Sequence, residues 1–402
     1  MMHIFLNGMG ASAGGGLTYL RNVLPQLSKM QSVRTTVAVN PGFDAGCELH
    51  QNLELLRLPF EGGSRRRFWL EQTELPKIVR NCGADLLISA GNFALRRSPV
   101  PQILLSRNSL YTSPDFAADL IRRGEYRMWL DTNLKAILAR RSIHWADRTV
   151  APSKAFAGEL QKWAGKPVLA VHHGFDRRTF FDGRVPVLEE ISGRLQCRSG
   201  TLRVLLVSHY NYYRNFETVL RAIALTGKQP GAPPVRLFLT CELQKDKTPG
   251  GYNPHSAARL IDQLGIRKQV VELGPVPYEH LHHVYKSCDL FVTAAYTETF
   301  AHPLVEAMAC GLPVIASDLA VHREICGDAA LFFPAFSPDA LADRLSRLAS
   351  APDDRRALSI RGLDRCQTYS WESHVRQLLT LAQEMLTELK PRQSESRAVG
   401  AA

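Results

Sequence analysis

Two carboxylates in one short stretch are the residues best placed for chemistry. Within residues 297–318, TETFAHPLVEAMACGLPVIASD, Glu298 lies in a polar loop and Glu306 lies eight positions later in an apolar segment with helical spacing. Eight residues of helix span about 12 Å, whereas the acid and base of a glycosidase stand about 5–9.5 Å apart. The pair therefore suits the two ends of one extended ligand, with each carboxylate accepting hydrogen bonds from hydroxyl groups. The backbone amides of residues 299–302 open the predicted helix, where an anion is favoured.

A second loop lies between a predicted strand and a predicted helix. The segment SHYNYYRN, residues 208–215, follows an apolar strand over 202–207 and precedes a predicted helix over 216–226. The alternative for the two carboxylates is structural: a capped amphipathic helix with Glu298 and Glu306 on solvated faces.

A glycine-rich loop follows the first predicted strand. Residues 3–7 form a short apolar strand, and GMGASAGGG, residues 8–16, leads into a helical pattern that continues to Leu27. This arrangement forms a phosphate cradle, because glycine lets the amides at a helix N-terminus approach an anion. The spacing is not GxGxxG, so dinucleotide binding is a weak alternative. Arg107 and Asn108 follow another predicted strand, at 102–105, either as contacts to a sugar or acceptor or as part of an exposed loop.

The ordered string from Glu298 through Glu306 to EAMACGLPVIAS, ending at Ser317, resembles the donor-binding signature of the retaining glycosyltransferases of family 4. The resemblance spans residues 8–389, is strongest over 274–333 and is thinner in the first half. It implies the GT-B architecture, an α/β fold of two Rossmann-like domains facing across a cleft. The alternation of predicted strands and helices in both halves agrees with parallel sheets.

The resemblance also implies roles for single residues. Glu306 is expected to hold the ribose hydroxyls of the donor and Glu298 the transferred sugar. Arg214 and His209 are expected to bind the diphosphate, although they stand where the family has Lys and Arg. The complete set of candidates comprises catalytic Glu298 and Arg214, donor-binding Glu306, His209, Thr299, Phe300, Ala301, His302, Gly15, Gly16 and Val276, and acceptor-side Arg107 and Asn108.

The expected reaction moves a sugar from a nucleoside-diphosphate sugar to an acceptor hydroxyl with retention, in the synthesis of bacterial surface polysaccharide or lipopolysaccharide. No Asp-x-Asp metal loop appears, so we expect no metal, and no permanently bound cofactor. One alternative is a donor-binding scaffold without turnover, motivated by His209 and by the missing glycine-rich turn at Cys241. The other is a GT-B nucleotide-sugar epimerase, a class that lacks the EAMACGLPVIAS-like run.

The positive charge of the chain is concentrated in its first half. The net charge is +11, and residues 1–180 hold 24 Lys and Arg against 14 Asp and Glu. Basic clusters stand beside aromatic residues there, as in Arg65, Arg66, Arg67 and Trp69. This pattern predicts contact with an anionic membrane surface or an acidic acceptor, the alternative being a solvated basic face. Nucleic acid is not expected as a partner, because no nucleic-acid-binding motif accompanies the charge.

Length and composition predict two domains in a reducing compartment. A chain of 402 residues exceeds one comfortable core. We expect an N-terminal domain over 1–182, a linker over 183–200, a donor domain over 201–369, a helix over 370–389 that returns to the first domain, and a disordered tail over 390–402. Eight cysteines without a CxxC pair, and no apolar run long enough to cross a membrane, indicate a cytoplasmic protein. A peripheral location at the inner face of the plasma membrane is left open by the basic first half.

Overall fold

The protein forms two compact α/β units. The structure, a computed structural model, describes residues 1–11, 14–59, 63–181, 183–228, 231 and 233–399. The first unit comprises Met1–Thr112, Tyr126–Gly174 and Ser370–Ala402, and the second comprises Ser113–Glu125 and Phe175–Tyr369.

Each unit is built on one parallel sheet. The strands are β1 (Met2–Asn7), β2 (Val33–Val39), β3 (Leu53–Arg57), β4 (Leu86–Ser89), β5 (Gln102–Leu105), β6 (Arg148–Ala151) and β7 (Leu169–Ala170) in the first unit, and β8 (Leu202–Leu206), β9 (Val235–Leu239), β10 (Val270–Glu272), β11 (Leu290–Thr293), β12 (Val314–Ser317) and β13 (Ala330–Phe333) in the second. Their spatial orders are β3-β2-β1-β4-β5-β6-β7 and β10-β9-β8-β11-β12-β13.

Helices alternate with these strands along the chain. In order they are α1 (Gly14–Ser28), α2 (Ser64–Thr73), α3 (Leu75–Asn81), α4 (Pro114–Arg122), α5 (Tyr126–Trp145), α6 (Lys154–Ala164), α7 (Arg177–Phe180), α8 (Glu189–Leu195), α9 (Phe216–Thr226), α10 (His255–Gln263), α11 (Leu281–Lys286), α12 (His302–Ala309), α13 (Ala320–Cys326), α14 (Pro338–Ser350), α15 (Pro352–Arg365) and α16 (Trp371–Val399).

The local sequence accounts for these elements. Strands β11 and β12 are buried at every position and read as short continuous apolar runs, as strands covered on both faces do. Several helices begin at a serine whose hydroxyl accepts a hydrogen bond from an amide of the first turn, as at Ser113, Ser153 and Ser337.

Both sheets reverse their strand order at one point, between β1 and β4 and between β8 and β11. In parallel sheets, ligands bind outside the carboxyl ends of the strands at such a point. In the first unit the two loops meet closely, since a Cβ on Gly10 would lie 3.4 Å from the Cα of Gly91. In the second unit the loops after β8 and β11 contain Arg214 and Glu298.

The last helix belongs to the first unit. Trp371, Val375 and Ala382 on α16 are buried in the core cluster that also contains α1. The chain passes very close to itself where this helix starts, because a Cβ on Gly174 would lie 2.0 Å from the amide nitrogen of Trp371. Only glycine leaves room for that approach.

A segment from the first half of the chain packs in the second unit. Residues 113–125, which contain α4, lie between two pieces of the first unit in sequence yet belong to the second unit. The Phe116 ring stands edge-on to Tyr213 at 6.2 Å between centroids. The buried Asp119 carboxylate accepts a hydrogen bond of 2.9 Å from the hydroxyl of Tyr296.

The elements differ from the predicted ones in several places. The helix expected over 68–81 is two helices, α2 and α3, because Pro76 stands in the first turn of the second. The expected linker over 183–200 contains α8, whose Ile191 and Leu195 are buried. Where a disordered tail was expected from residue 390, α16 continues to Val399, although Pro391 lies within this last part of the helix. Residues 400–402 lie outside the described part.

Candidate active site

The loop after β8 holds Arg214 in place through its own asparagines. The side-chain oxygen of Asn211 accepts a hydrogen bond of 3.1 Å from the Arg214 amide, while its Nδ2 donates to the carbonyl of His209. Residues 212–214 form one turn of 3-10 helix, and Asn215 ends it in the left-handed region at φ 54°. Asparagine is among the few residues that adopt this conformation readily. Its side chain donates to the carbonyl of Ala335 at 2.7 Å.

The loop after β11 carries Glu298 and ends in a strained residue. Ala301 has φ 63° and ψ 63° and directly precedes α12, which starts at His302. Thr299, Phe300 and Ala301 therefore lie in a loop before the helix and not in its first turn. A non-glycine residue held in the left-handed region costs about 1–3 kcal/mol and occurs preferentially at functional sites. The buried Phe300 ring packs edge-on against Tyr369 at 5.3 Å between centroids, which supports this conformation.

Arg214 and Glu298 form a buried ion pair between these loops. Their side chains are 18% and 9% exposed, and Nη1 of Arg214 contacts Oε1 of Glu298. The loop backbones also meet, because the amide of Tyr296 donates to the carbonyl of Tyr213 at 3.0 Å. Burial alone would raise the pKa of Glu298, but the Arg214 guanidinium, with help from the hydrogen bond donated by the Thr299 amide, lowers it below its ordinary value. Glu298 is therefore ionised at neutral pH.

His322 is a third side chain of this cluster. It is fully buried near the start of α13. The charge of Glu298 raises the pKa of its imidazole, and the charge of Arg214 lowers it. Its Nδ1 lies 2.9 Å from the carbonyl oxygen of Ser317, which can only accept, so Nδ1 carries the proton. Nε2 is then an acceptor. Within the described residues, neither this atom nor Nε of Arg214 has a hydrogen-bond partner, although both are buried.

Burial keeps the His322 imidazole neutral. Removal from water lowers its pKa to about 4, against the opposing attraction of Glu298. At pH 7 the cluster thus combines one carboxylate, one guanidinium and one neutral acceptor. The orphaned donor and acceptor are unusual in a protein interior, where most buried polar atoms are paired.

Glu306 lies on α12 in a pocket of aromatic residues. Its side chain is 6% exposed and accepts a hydrogen bond of 2.8 Å from the hydroxyl of Tyr285. Burial raises the pKa of Glu306 to about 7, and the Tyr285 hydroxyl offsets this only in part. Burial and then the charge of Glu306 raise the pKa of Tyr278, which is 39% exposed. Glu306 is therefore a carboxylate that titrates near neutral pH beside an accessible aromatic surface.

Segment 113–125 is bonded to the loops that carry Arg214 and Glu298. Glu125 accepts a hydrogen bond of 2.6 Å from the hydroxyl of Tyr212, two residues before Arg214. Asp119 holds Tyr296, two residues before Glu298, as described above. Arg123 forms an ion pair of 3.0 Å with Glu217 at the start of α9. No local sequence pattern indicates this support, because segment 113–125 is distant in the chain from Tyr212, Glu217 and Tyr296.

The remaining candidates of the second unit lie in loops or directly after them. His209 has an exposed side chain at the start of the loop that carries Arg214. Val276 is half-buried and follows Gly274, whose φ of +79° turns the chain after β10. His302 is the first residue of α12, and its ring packs against that of Phe300 with 4.9 Å between centroids and an interplanar angle of 55°.

The candidates of the first unit have local structural partners. Gly15 and Gly16 lie in the first turn of α1, and a Cβ on Gly15 would meet no atom within 4 Å. Arg107 stacks at 4.2 Å on the ring of Tyr19 and donates to the carbonyl of Ala90 at 2.5 Å. Asn108 accepts from the amide of Leu110 and thereby caps a 3-10 turn. None of these contacts tests ligand binding by Gly15, Gly16, Arg107 or Asn108, so their binding role stays a prediction.

Sequence reasoning missed His322 and Tyr285. Both are side chains whose importance arises from distant neighbours: Tyr285 is 21 positions from Glu306, and His322 is 24 positions from Glu298. The only local signal for His322 is a polar ring in the otherwise apolar face of a short helix, with Val321, Ile325 and Cys326 buried beside it. A lone histidine of this kind is more often a structural residue than a ligand.

Two family models match successive parts of the chain. The model described as glycosyltransferase family 4 matches residues 13–179, and the model described as glycosyl transferases group 1 matches residues 189–365. Together they account for most of the chain and divide it near the boundary between the two units.

Curated relatives match parts of the chain. A D-inositol 3-phosphate glycosyltransferase of Thermobifida fusca is 28% identical over 254 residues, which cover 61% of this chain and 57% of the relative. An O-antigen chain mannosyltransferase B of Escherichia coli is 37% identical over 103 residues, covering 25% of this chain and 26% of the relative. The chain thus spans little more than half the length of the first relative and about a quarter of the second.

Solved structures match nearly the whole chain. A sucrose-phosphate synthase from Thermosynechococcus elongatus superimposes with a TM-score of 0.76 at 18% identity, covering 96% of this chain and all of that one. HepE of Anabaena, solved in complex with UDP-glucose, superimposes with a TM-score of 0.68 at 16% identity and the same coverage. WaaG, a glycosyltransferase involved in lipopolysaccharide biosynthesis, gives 0.66 at 14% identity over 94% of this chain. These similarities confirm the expected fold class, two parallel-sheet α/β domains of the GT-B type.

Proposed function

Because the chain belongs to the family 4 glycosyltransferases, as the sequence predicted, we propose that it transfers a sugar from a nucleoside-diphosphate sugar to an acceptor hydroxyl with retention of configuration. The observation that carries this proposal is the buried contact of Arg214 with Glu298 at the point where the sheet of the second unit reverses its order. HepE, a similar structure, holds UDP-glucose, which supports a nucleotide sugar as the donor class. A role in surface polysaccharide or lipopolysaccharide synthesis is proposed from the named relatives.

In the proposed reaction the donor lies across the two loops of this site. Arg214 neutralises the charge that develops on the departing diphosphate, which is electrostatic stabilisation of the transition state. The bond from the anomeric carbon to the phosphate oxygen breaks, the acceptor oxygen bonds to the same face of that carbon, and the acceptor proton passes to the leaving phosphate. Glu298 stays ionised and accepts hydrogen bonds from the transferred sugar. It is therefore not the general acid.

Other candidate residues take supporting roles in this proposal. Glu306 accepts hydrogen bonds from the ribose hydroxyls, and the amides of residues 299–302 lie beside the sugar. His209 contributes one weak contact to the diphosphate, in keeping with its exposed position. Val276 meets the nucleobase through its backbone. Gly15 and Gly16 border the donor phosphates, while Arg107 and Asn108 contact the acceptor. We propose a reaction independent of a metal ion.

A panel of nucleotide sugars tests the proposal directly. Thermal unfolding in EDTA should show one donor that raises Tm, since a ligand present at a hundredfold excess over its Kd stabilises the fold by about 2.7 kcal/mol. Incubation of that donor with candidate acceptors, still in EDTA, should release nucleoside diphosphate and form a product with retained anomeric configuration. Tight donor binding without transfer or hydrolysis would favour a non-catalytic scaffold. Activity that appears only when a divalent metal is restored would contradict metal independence.

His322 is proposed to position the transferred sugar. Nε2 of His322 lacks a donor and Nε of Arg214 lacks an acceptor. A hydroxyl group both donates and accepts, so a hydroxyl of the sugar can satisfy both atoms. Replacing His322 by asparagine keeps a polar atom near Ser317 but removes the acceptor at the Nε2 position, whereas glutamine replaces that acceptor. We expect His322→Asn to weaken binding of the nucleotide sugar about tenfold, and His322→Gln to weaken it less.

Affinity for the free nucleoside diphosphate provides the control for His322. Titration calorimetry of both variants with the diphosphate alone should give affinities within about twofold of wild type, because the diphosphate carries no sugar hydroxyl. An equal loss for the diphosphate and for the nucleotide sugar would mean that His322 supports the fold of the site and not the sugar.

A further inference from the structure

Helix α5 exposes an apolar face to solvent. Tyr126, Leu130, Leu134 and Ile137 are 65%, 54%, 49% and 53% exposed. They stand at positions i, i+4, i+8 and i+11 and so fall within about 80° of the helix circumference. The helix packs on the first unit through other positions, since Ala139, Ser142 and Ile143 are buried. A contiguous exposed stripe of this kind marks an interaction site, unlike single exposed apolar residues.

Basic residues border this stripe. Arg127, Arg140 and Arg141 on the same helix are exposed. Asp131, the one acidic residue of the helix, forms an ion pair of 2.6 Å with Lys135. The net charge around the apolar face is therefore positive. An apolar face bordered by arginines is the pattern of helices that lie in the plane of a membrane interface.

The basic cluster noted in the sequence adjoins α5. Phe68 on α2 packs edge-on against Phe93, which packs on Tyr111, and the turn that contains Tyr111 packs against α5. Burial raises the pKa of Tyr111. The charge of Asp131 on α5 raises it further, and the charge of Arg67 on α2 lowers it. On α2, Arg66 is exposed and Trp69 is 64% exposed. The stripe, the basic residues beside it and the exposed residues of α2, which is linked to α5 through these rings, are together termed here the α5 surface.

We propose that the α5 surface docks the protein onto an anionic lipid bilayer, with α5 lying in the interface and its four apolar side chains inserted among the lipids. A second copy of the chain fits less well, because a self-complementary contact would set the arginines of one copy against those of the other. A bilayer with acidic headgroups offers apolar depth under the stripe and negative charge at the arginines. No helix among the described residues has the length and hydropathy to span a membrane, so docking would occur at the surface.

Vesicle cosedimentation tests this inference independently of the proposed transfer reaction, because it needs neither donor nor acceptor. Wild type should bind vesicles containing phosphatidylglycerol more tightly than vesicles of phosphatidylcholine. The triple variant Leu130→Asn, Leu134→Asn, Ile137→Asn should lose about a hundredfold in partition coefficient, since each side chain contributes about a fivefold gain when partly buried in lipid. The variant Arg127→Gln, Arg140→Gln, Arg141→Gln should lose about a hundredfold on anionic vesicles only.

A matched control separates the α5 surface from general exposure. Ile360 on α15 of the second unit is 62% exposed, so Ile360→Asn removes a similar side chain from a helix surface elsewhere and should bind vesicles as wild type does. The Tm of every variant, and its shift with the donor identified above, should match wild type, which shows that the fold is intact. The proposal is overturned if wild type ignores anionic vesicles, if the apolar variant binds them normally, or if that variant instead dissociates an oligomer.

Discussion

Replacing Arg214 by alanine is expected to lower kcat for sugar transfer by about 10²–10³. Arg214 is the cation placed at the end of β8, and its loop is tied by backbone and side-chain hydrogen bonds to the loop that carries Glu298. Its positive charge should stabilise the departing diphosphate more strongly in the transition state than in the bound donor. The substitution should therefore change kcat more than KM.

Stability must be separated from catalysis in this experiment. Arg214→Ala leaves the Glu298 carboxylate buried without its counter-charge, which costs about 3–5 kcal/mol of folding free energy. The double variant Arg214→Ala, Glu298→Gln removes both charges and should recover much of that stability while remaining inactive. Arg214→Lys keeps the charge but not the planar guanidinium, so its kcat should fall between wild type and Arg214→Ala.

An exposed arginine of the same unit serves as the reference. Arg267→Ala removes a guanidinium that pairs with Asp262 on the surface and should leave kcat unchanged. Recovery of activity in the double variant, or a loss in Arg267→Ala as large as in Arg214→Ala, would refute a specific role for Arg214 in catalysis.

Glu306→Gln is expected to stabilise the ligand-free protein at pH 8 while weakening donor binding about tenfold to a hundredfold. Burial raises the pKa of Glu306 from 4.5 to about 7, so at pH 8 the folded protein holds a carboxylate that burial disfavours. Between about pH 4.5 and 7 the folded state retains a proton that the unfolded chain has lost. The free energy of unfolding therefore falls as pH rises through this window, by about 3 kcal/mol in all.

The substitution should remove this pH dependence. The free energy of unfolding of Glu306→Gln, measured by chemical denaturation from pH 4.5 to 8, should lack the part of the decline that Glu306 causes in wild type. Donor affinity should change in the opposite sense, since an ionised carboxylate accepts stronger hydrogen bonds from ribose hydroxyls than an amide does. Wild-type affinity should rise through pH 7, so the difference between the two proteins should be smaller at pH 6.

Tyr285→Phe provides the control for Glu306. It removes the hydroxyl that donates to Glu306 while leaving the carboxylate free for the ribose. The pKa of Glu306 should rise further, which should move the pH dependence of donor binding upward. If Glu306→Gln neither flattens the pH profile of stability nor weakens donor binding, Glu306 is a structural residue of the second unit.

Local patterns were sufficient for the parts of this protein that depend on near neighbours. The parallel sheets follow from alternating buried strands and amphipathic helices, and β5 and the start of α16 lie where the sequence predicted them. The two-loop site at the reversal of strand order was also predictable, because ligands of parallel sheets lie at the carboxyl ends of strands. Family membership was predictable from one ordered string around Glu298 and Glu306, which shares its residue types and spacing with the family.

Other features depended on contacts between distant parts of the chain. No local pattern places residues 113–125 in the second unit, because the partners of Asp119 and Glu125 are Tyr296 and Tyr212. The sequence also did not predict which side of α5 is exposed. The helix is apolar on two sides, and only packing shows which side is buried. The sequence therefore determined the types of element and the residue types in the loops that carry Arg214 and Glu298. The tertiary structure alone decided which buried groups remain charged, which is set by neighbours that remove water and supply counter-charge.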